Sequence, residues 1–84
     1  MPSVIHEPDQ HRFSAAMEGE QAVLEYTLVD GNGIDFTRTF VPPSFRGNGV
    51  AEKLVRTGLA WARAQGYTIT ASCWYVQKFG VRAT

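Results

Sequence analysis

The chain has 84 residues, 44% of them hydrophobic and 19% charged, and its basic and acidic side chains balance to a formal net charge of zero. That composition describes one small globular domain and excludes a disordered segment, a basic nucleic-acid-binding surface and an apolar membrane span. A single cysteine, Cys73, rules out an intramolecular disulfide, and the polar start (Ser3, His6, Glu7, Asp9) is unlike a signal sequence, so the expected location is cytoplasmic.

Residues 1–10 mix Pro2, Pro8, His6 and acidic residues without a period and read as a loose N-terminal arm, leaving 11–84 as the domain. From Arg12 to Glu18 the pattern alternates, with Phe13, Ala15 and Met17 on one side of a first strand. Glu18-Gly19-Glu20 is a turn. Ala22, Leu24, Tyr26 and Leu28 then share one face of a second strand. Asp30-Gly31-Asn32-Gly33 is a hairpin signal, and Ile34, Phe36 and Phe40 carry a third strand to Val41. Pro42 and Pro43 stop it, because neither has an N–H to donate to a ladder.

The period then changes. Val50, Leu54, Val55, Leu59 and Ala62 fall on one helical face, which predicts a helix from about Gly49 to Gln65, closed by Gly66. Tyr67, Ile69, Ala71 and Cys73 alternate with Thr68, Thr70 and Ser72 in a fourth strand. Trp74 to Phe79 reads as a short helical turn and Gly80 to Thr84 as a tail. The fold class is therefore α+β: a three-stranded antiparallel meander joined to a β-α-β unit in one mixed sheet, with the long helix on one face. A right-handed crossover brings the loop after the third strand and the end of the fourth strand to the same sheet edge, where such sheets bind ligands.

That loop, Phe45-Arg46-Gly47-Asn48-Gly49, leads into a helix whose first N–H groups lack intrahelical partners. A dipole end and open amides together favour an anion, most naturally phosphate. The plain alternative is a turn that only caps a helix. A nucleoside-triphosphate loop needs a Lys-Ser or Lys-Thr pair after its glycine, and none follows here. A dinucleotide fingerprint needs a third glycine where Glu52 stands.

Arg46-Gly47-Asn48-Gly49-Val50-Ala51 instead matches the [QR]-x-x-G-x-[GA] signature of the GNAT acyltransferases. With Leu24-Glu25-Tyr26, Thr39-Phe40-Val41-Pro42, Ala60-Trp61-Ala62 and Ser72-Cys73-Trp74-Tyr75-Val76, the chain resembles the compact single-domain GNAT-like N-acetyltransferases from about Phe13 to Phe79. The resemblance implies a trimmed GNAT core that binds acetyl-CoA and acetylates an amine acceptor. Its cofactor-binding residues would be Val41, Arg46, Gly47, Asn48, Gly49, Val50, Ala51 and Cys73. In that group the cysteine at the position of Cys73 has been proposed to take part in acetyl transfer. Two features depart from the group: Ser72 stands where proline is typical, and Gly80 to Thr84 does not reproduce its R-x-H-P-E-like ending.

Other readings stand beside these. Arg46 is a phosphate contact or a solvent-facing loop residue. Cys73 is a nucleophile or a small site-lining hydrophobe, and burial between strands would raise its thiol pKa and favour direct attack by the amine. The resemblance would allow Tyr75 to protonate the departing thiolate, but the spacing to Gly80 differs from the group's Y-x-x-x-G-F run, so Tyr75 and Trp74 read as packing at the sheet edge. Glu25 and Glu52 are candidate bases, although Glu52 in a first helical turn also serves the dipole. His6 and His11 read as surface residues, and no Cys/His/acid cluster marks a metal site. A non-catalytic acyl-CoA-binding module and a small interaction domain are the alternatives to an enzyme. Trp61, Trp74 and Tyr75 exceed what so small a core buries, which allows a monomer or a weak homodimer.

Overall fold

The computed structural model describes residues 3–45, 47 and 49–83. Six strands form one sheet in the spatial order β1 (Ile5–Glu7), β2 (Arg12–Met17), β3 (Glu20–Val29), β4 (Gly33–Phe40), β5 (Thr68–Ala71) and β6 (Arg82–Ala83). β1 to β4 are antiparallel neighbours, while β5 and β6 add in parallel. Helix α1 (Val50–Ala64) covers one face, and α2 (Trp74–Gln77) is a single turn between β5 and β6. The α+β class, the meander and the β-α-β unit all follow the sequence reading.

Both ends of the chain differ from that reading. Residues 5–7 of the expected loose arm pair with Arg12–Ser14 as an edge strand, and two residues of the expected tail extend the sheet beyond β5. Three-residue and two-residue strands are too short to show alternation, so side-chain contacts place them instead. His6 stands opposite Phe13 and stacks on it, with ring centroids 4.2 Å apart and planes 9° from parallel. Its Nε2 lies 2.8 Å from the Tyr26 hydroxyl, and Trp61 meets it edge-on at 4.5 Å. His6 is therefore half-buried, not a surface histidine as its place in the arm suggested.

Burial lowers the His6 pKa below its ordinary 6.5. As pH falls, the unfolded chain takes up this proton first. The stability that depends on neutral His6 is thus present in full above about pH 6.5 and declines below it. Thermal unfolding between pH 7.5 and 5.5 is expected to show a loss that His6→Phe reduces. An equal loss in that variant would place the acid sensitivity elsewhere.

The core lies between α1 and the sheet. Val50, Leu54, Val55, Leu59 and Ala62, the stripe read from the sequence, are all buried against Phe13, Leu24, Tyr26, Ile34 and Phe36. Burying a side chain of this size contributes about 1.5–3 kcal/mol. At the helix C-terminus, Gly66 adopts φ 78°. The Tyr67 amide there donates to the Ala62 carbonyl at 3.1 Å, and the Gly66 amide donates to Arg63 at 3.0 Å. These bonds satisfy the last carbonyls and return the chain to the sheet.

One irregularity decides what β4 presents to its two faces. Arg38 pairs with Glu25 and Phe36 with Tyr26, so Thr37 has no cross-strand partner and the register shifts. An extra residue exchanges the faces of everything after it. Phe40, expected on the same face as Ile34 and Phe36, is 42% exposed and lies under the Arg38 guanidinium on the side away from α1. Thr39 turns inward instead, opposite the buried Leu24.

Candidate active site

β4 and β5 run together only from Gly33 opposite Thr68 to Phe36 opposite Ala71. The Phe36 carbonyl then accepts two amides, from Ser72 at 3.0 Å and Cys73 at 3.1 Å. Beyond that point β4 continues to Phe40, while the segment after β5 turns into α2. The opening between them is a cavity of about 420 Å³. The end of β4 lines it with Thr39 and Val41, the loop and helix start with Gly47, Gly49, Val50 and Ala51, and the end of β5 with Cys73. Six of the eight cofactor-binding residues read from the sequence meet there. The other two, Arg46 and Asn48, lie outside the described residues.

The loop side of this cavity is polar because of its backbone. Gly49 is the α1 N-cap, in the left-handed region at φ 72°, and makes no side-chain cap hydrogen bond. The first intrahelical bond closes at Lys53 N to Gly49 O, 3.0 Å. The amides of Val50, Ala51 and Glu52 precede that first intrahelical bond, and these residues line the cavity. With Gly47 also at φ 85°, the loop brings backbone close to the cavity without side-chain bulk. An uncapped helix start of this kind fits an anionic group.

The opposite wall is Cys73, which is half-buried at the N-cap of α2. Its hydroxyl neighbour, Thr39 Oγ1, lies 3.5 Å from Sγ and faces inward only because of the irregularity at Thr37. Burial pushes the Cys73 thiol up, but Thr39 and the nearby Val76 and Tyr75 amides outweigh it, and the thiol lies below its ordinary value. The two α2 amides act on the sulfur without closing a cap hydrogen bond onto it. This corrects the expectation that burial would dominate. The error arose because Thr39 was not expected beside the sulfur.

Ser72, one of the two departures from the compact GNAT pattern, has a structural use here. Its amide donates to Asp35 Oδ1 at 2.8 Å and its hydroxyl to Asp35 Oδ2 at 2.7 Å. Proline at this position would supply neither bond. Asp35 is buried on β4, so the pair ties the end of β5 to β4 immediately before Cys73.

The remaining candidates separate cleanly. Glu25 pairs with Arg38 at 3.1 Å and is not among the residues lining the cavity. Glu52 lines the cavity and pairs with Arg56 at 2.7 Å, an exposed pair worth about 0.3–0.5 kcal/mol. Trp74 and Tyr75, read as edge packing, also line it, as does Phe45, which the sequence reading left without a role. Burial pushes the Tyr75 phenol up, and the Glu52 carboxylate adds to this against the Arg56 guanidinium. Among the described residues no group of His, Cys, Asp and Glu is placed to hold a metal, and no helix is long and apolar enough to cross a membrane.

A family model described as GCN5-related N-acetyl-transferase matches residues 12–83. The chain belongs to the GCN5-related N-acetyltransferase family. It is also similar to Protein NATD1 of Xenopus tropicalis and of Mus musculus, 32% identical over 78 residues in each case. Those matches cover 90% of this chain and 72% and 71% of the two relatives. Protein NATD1 of Homo sapiens is 31% identical over the same length, with 69% of it covered. The family match begins at β2 and ends in β6, so the splayed strands, the uncapped helix start and Cys73 all fall within it.

Proposed function

We propose that the chain is an acetyl-CoA-dependent N-acetyltransferase that passes an acetyl group to an amine by direct attack on the bound thioester. The observation that carries this reading is the cavity between β4 and α2, with uncapped α1 amides on one wall and Cys73, Thr39 and Tyr75 on the other. Acetyl-CoA would supply the activated acyl group. The amides of Val50, Ala51 and Glu52 would hold its pyrophosphate, and Gly47 and Gly49 would let it approach the backbone. The cavity lies within the usual size range of small-molecule sites. Tyr75, kept protonated at neutral pH, would return a proton to the departing thiolate. The lone Cys73, which leaves the fold without an internal disulfide, is the feature that supports a cytoplasmic location.

The lowered Cys73 thiol favours a second reading, in which sulfur takes the acetyl group first and then yields it to the amine. Intact mass after incubation with acetyl-CoA alone separates the two. Direct transfer predicts no acetyl adduct and retained turnover in Cys73→Ala. An adduct at Cys73 that amine discharges at the turnover rate would establish the covalent route.

The function itself is tested by calorimetry with coenzyme A and by thiol release from acetyl-CoA with a panel of amines. One-to-one binding with amine-dependent thiol release is expected. Binding without release would leave an acyl-CoA-binding module, and no binding would leave an interaction domain.

A further inference from the structure

Trp74 is 69% exposed although it is the bulkiest side chain on the cavity wall. Its ring meets that of Tyr75 at 88° with centroids 6.0 Å apart, so the two present separate faces to a common corner. The Lys78 ammonium occupies that corner, 5.2 Å from the Trp74 centroid and 5.5 Å from the Tyr75 centroid. Both distances are within the range at which a ring quadrupole attracts a cation, and tryptophan is the strongest of the aromatic partners. No described carboxylate pairs with Lys78. Arg56 differs: it lies over Phe79 at 5.6 Å but is neutralised by Glu52. Among the described residues, the contacts of this cation at the Trp74–Tyr75 corner are thus with the two rings, one helical turn from the wall that carries Cys73.

We propose that Trp74 and Tyr75 form an ammonium-binding rim at the cavity, that its external ligand is an alkylammonium, and that Lys78 is an intramolecular occupant which this ligand displaces. On the acetyl-transfer reading, on which the assignment of this ligand as acceptor rests, a protonated amine would dock here before losing its proton and entering the cavity. The rim would select cationic alkylamines over neutral ones of the same shape. Lys78 would lower the apparent affinity, because the site is already partly filled by its own chain.

The test reads the rim without acetyl transfer. The two indole N–H resonances of the ¹⁵N-labelled protein are followed during titration with n-butylammonium, tetramethylammonium and the neutral alcohol n-pentanol, at matched ionic strength. Trp74→Phe assigns the signals. Saturable movement of the Trp74 signal with both cations is expected, with Trp61 unmoved and n-pentanol inert. Lys78→Gln should tighten cation binding about twofold to fivefold, the size of an exposed cation–π contact. Equal movement with n-pentanol, or a Lys78→Gln affinity that is unchanged or weaker, would overturn the proposal. Coenzyme A calorimetry on the same sample keeps the two readings apart. A responsive Trp74 with no coenzyme A binding defeats the acetyl-transfer reading and leaves the rim, whereas bound coenzyme A with a silent Trp74 defeats the rim.

Discussion

Gly58→Leu is expected to destabilise the protein by about 3 kcal/mol or more, the largest stability effect of any single change considered. Gly58 lies on the buried stripe of α1, between Leu54–Val55 and Leu59, and packs against sheet side chains. A Cβ added there would stand 2.8 Å from Leu24 Cδ2, 3.2 Å from Phe36 Cε1 and 3.5 Å from Phe13 Cδ1. All three belong to the buried core, so none can yield without moving its neighbours. Alanine at 58 sets two effects against each other. Helix propensity favours it by about 1 kcal/mol. Overpacking opposes it by about 1–3 kcal/mol, and the 2.8 Å contact decides for a small net loss. Leucine keeps the propensity gain but adds a branched side chain where even one carbon is too close. A domain of this length loses about 4–8 °C in Tm for each kcal/mol, so Gly58→Leu should melt at least about 12 °C below the natural protein. A shift of less than a few degrees would show that α1 can lift from the sheet at little cost.

Gly58 also marks where sequence reading stops. The apolar stripe of α1 was legible because burial imposes a 3.6-residue period on Val50, Leu54, Val55, Leu59 and Ala62. A glycine adds nothing to that period, so this tight helix–sheet contact was silent. The Gly47–Gly49 loop was legible for the opposite reason: two glycines between a proline stop and a helix have few other uses. Alternation assigned β2 and β3 correctly but failed within β4. A single unpaired Thr37 exchanged Phe40 for Thr39 and moved a hydroxyl beside Cys73. No local residue type signals such an irregularity, because it depends on how Glu25 and Tyr26 pair across the sheet. The strand at His6 depended on a nonlocal cluster with Phe13, Tyr26 and Trp61. The Cys73 thiol depended on Thr39, 34 residues away in sequence.

Gly49→Val is expected to weaken coenzyme A binding at least tenfold, about 1.4 kcal/mol, in a protein that still folds. At φ 72° a valine is strained by about 1–2 kcal/mol, and the strain is relieved only by turning the N-cap toward negative φ. That rotation would re-aim the Val50 and Ala51 amides, and the branched side chain would also crowd an approaching phosphate. Strain alone has to be separated from loss of the site. Gly66→Val is the matched control. Gly66 has φ 78°, and beyond the chain neighbours a Cβ at either glycine meets no atom of the described residues within 4 Å, so both changes cost backbone strain without a clash among them. Gly66 sits beyond the far end of α1, about 15 residues of helix from the cavity. The two variants should therefore lose similar stability while only Gly49→Val loses affinity. Comparable weakening in both would mean that binding reports global softening of α1. Unchanged affinity in a folded Gly49→Val protein would remove the 46–51 loop from the coenzyme A site altogether.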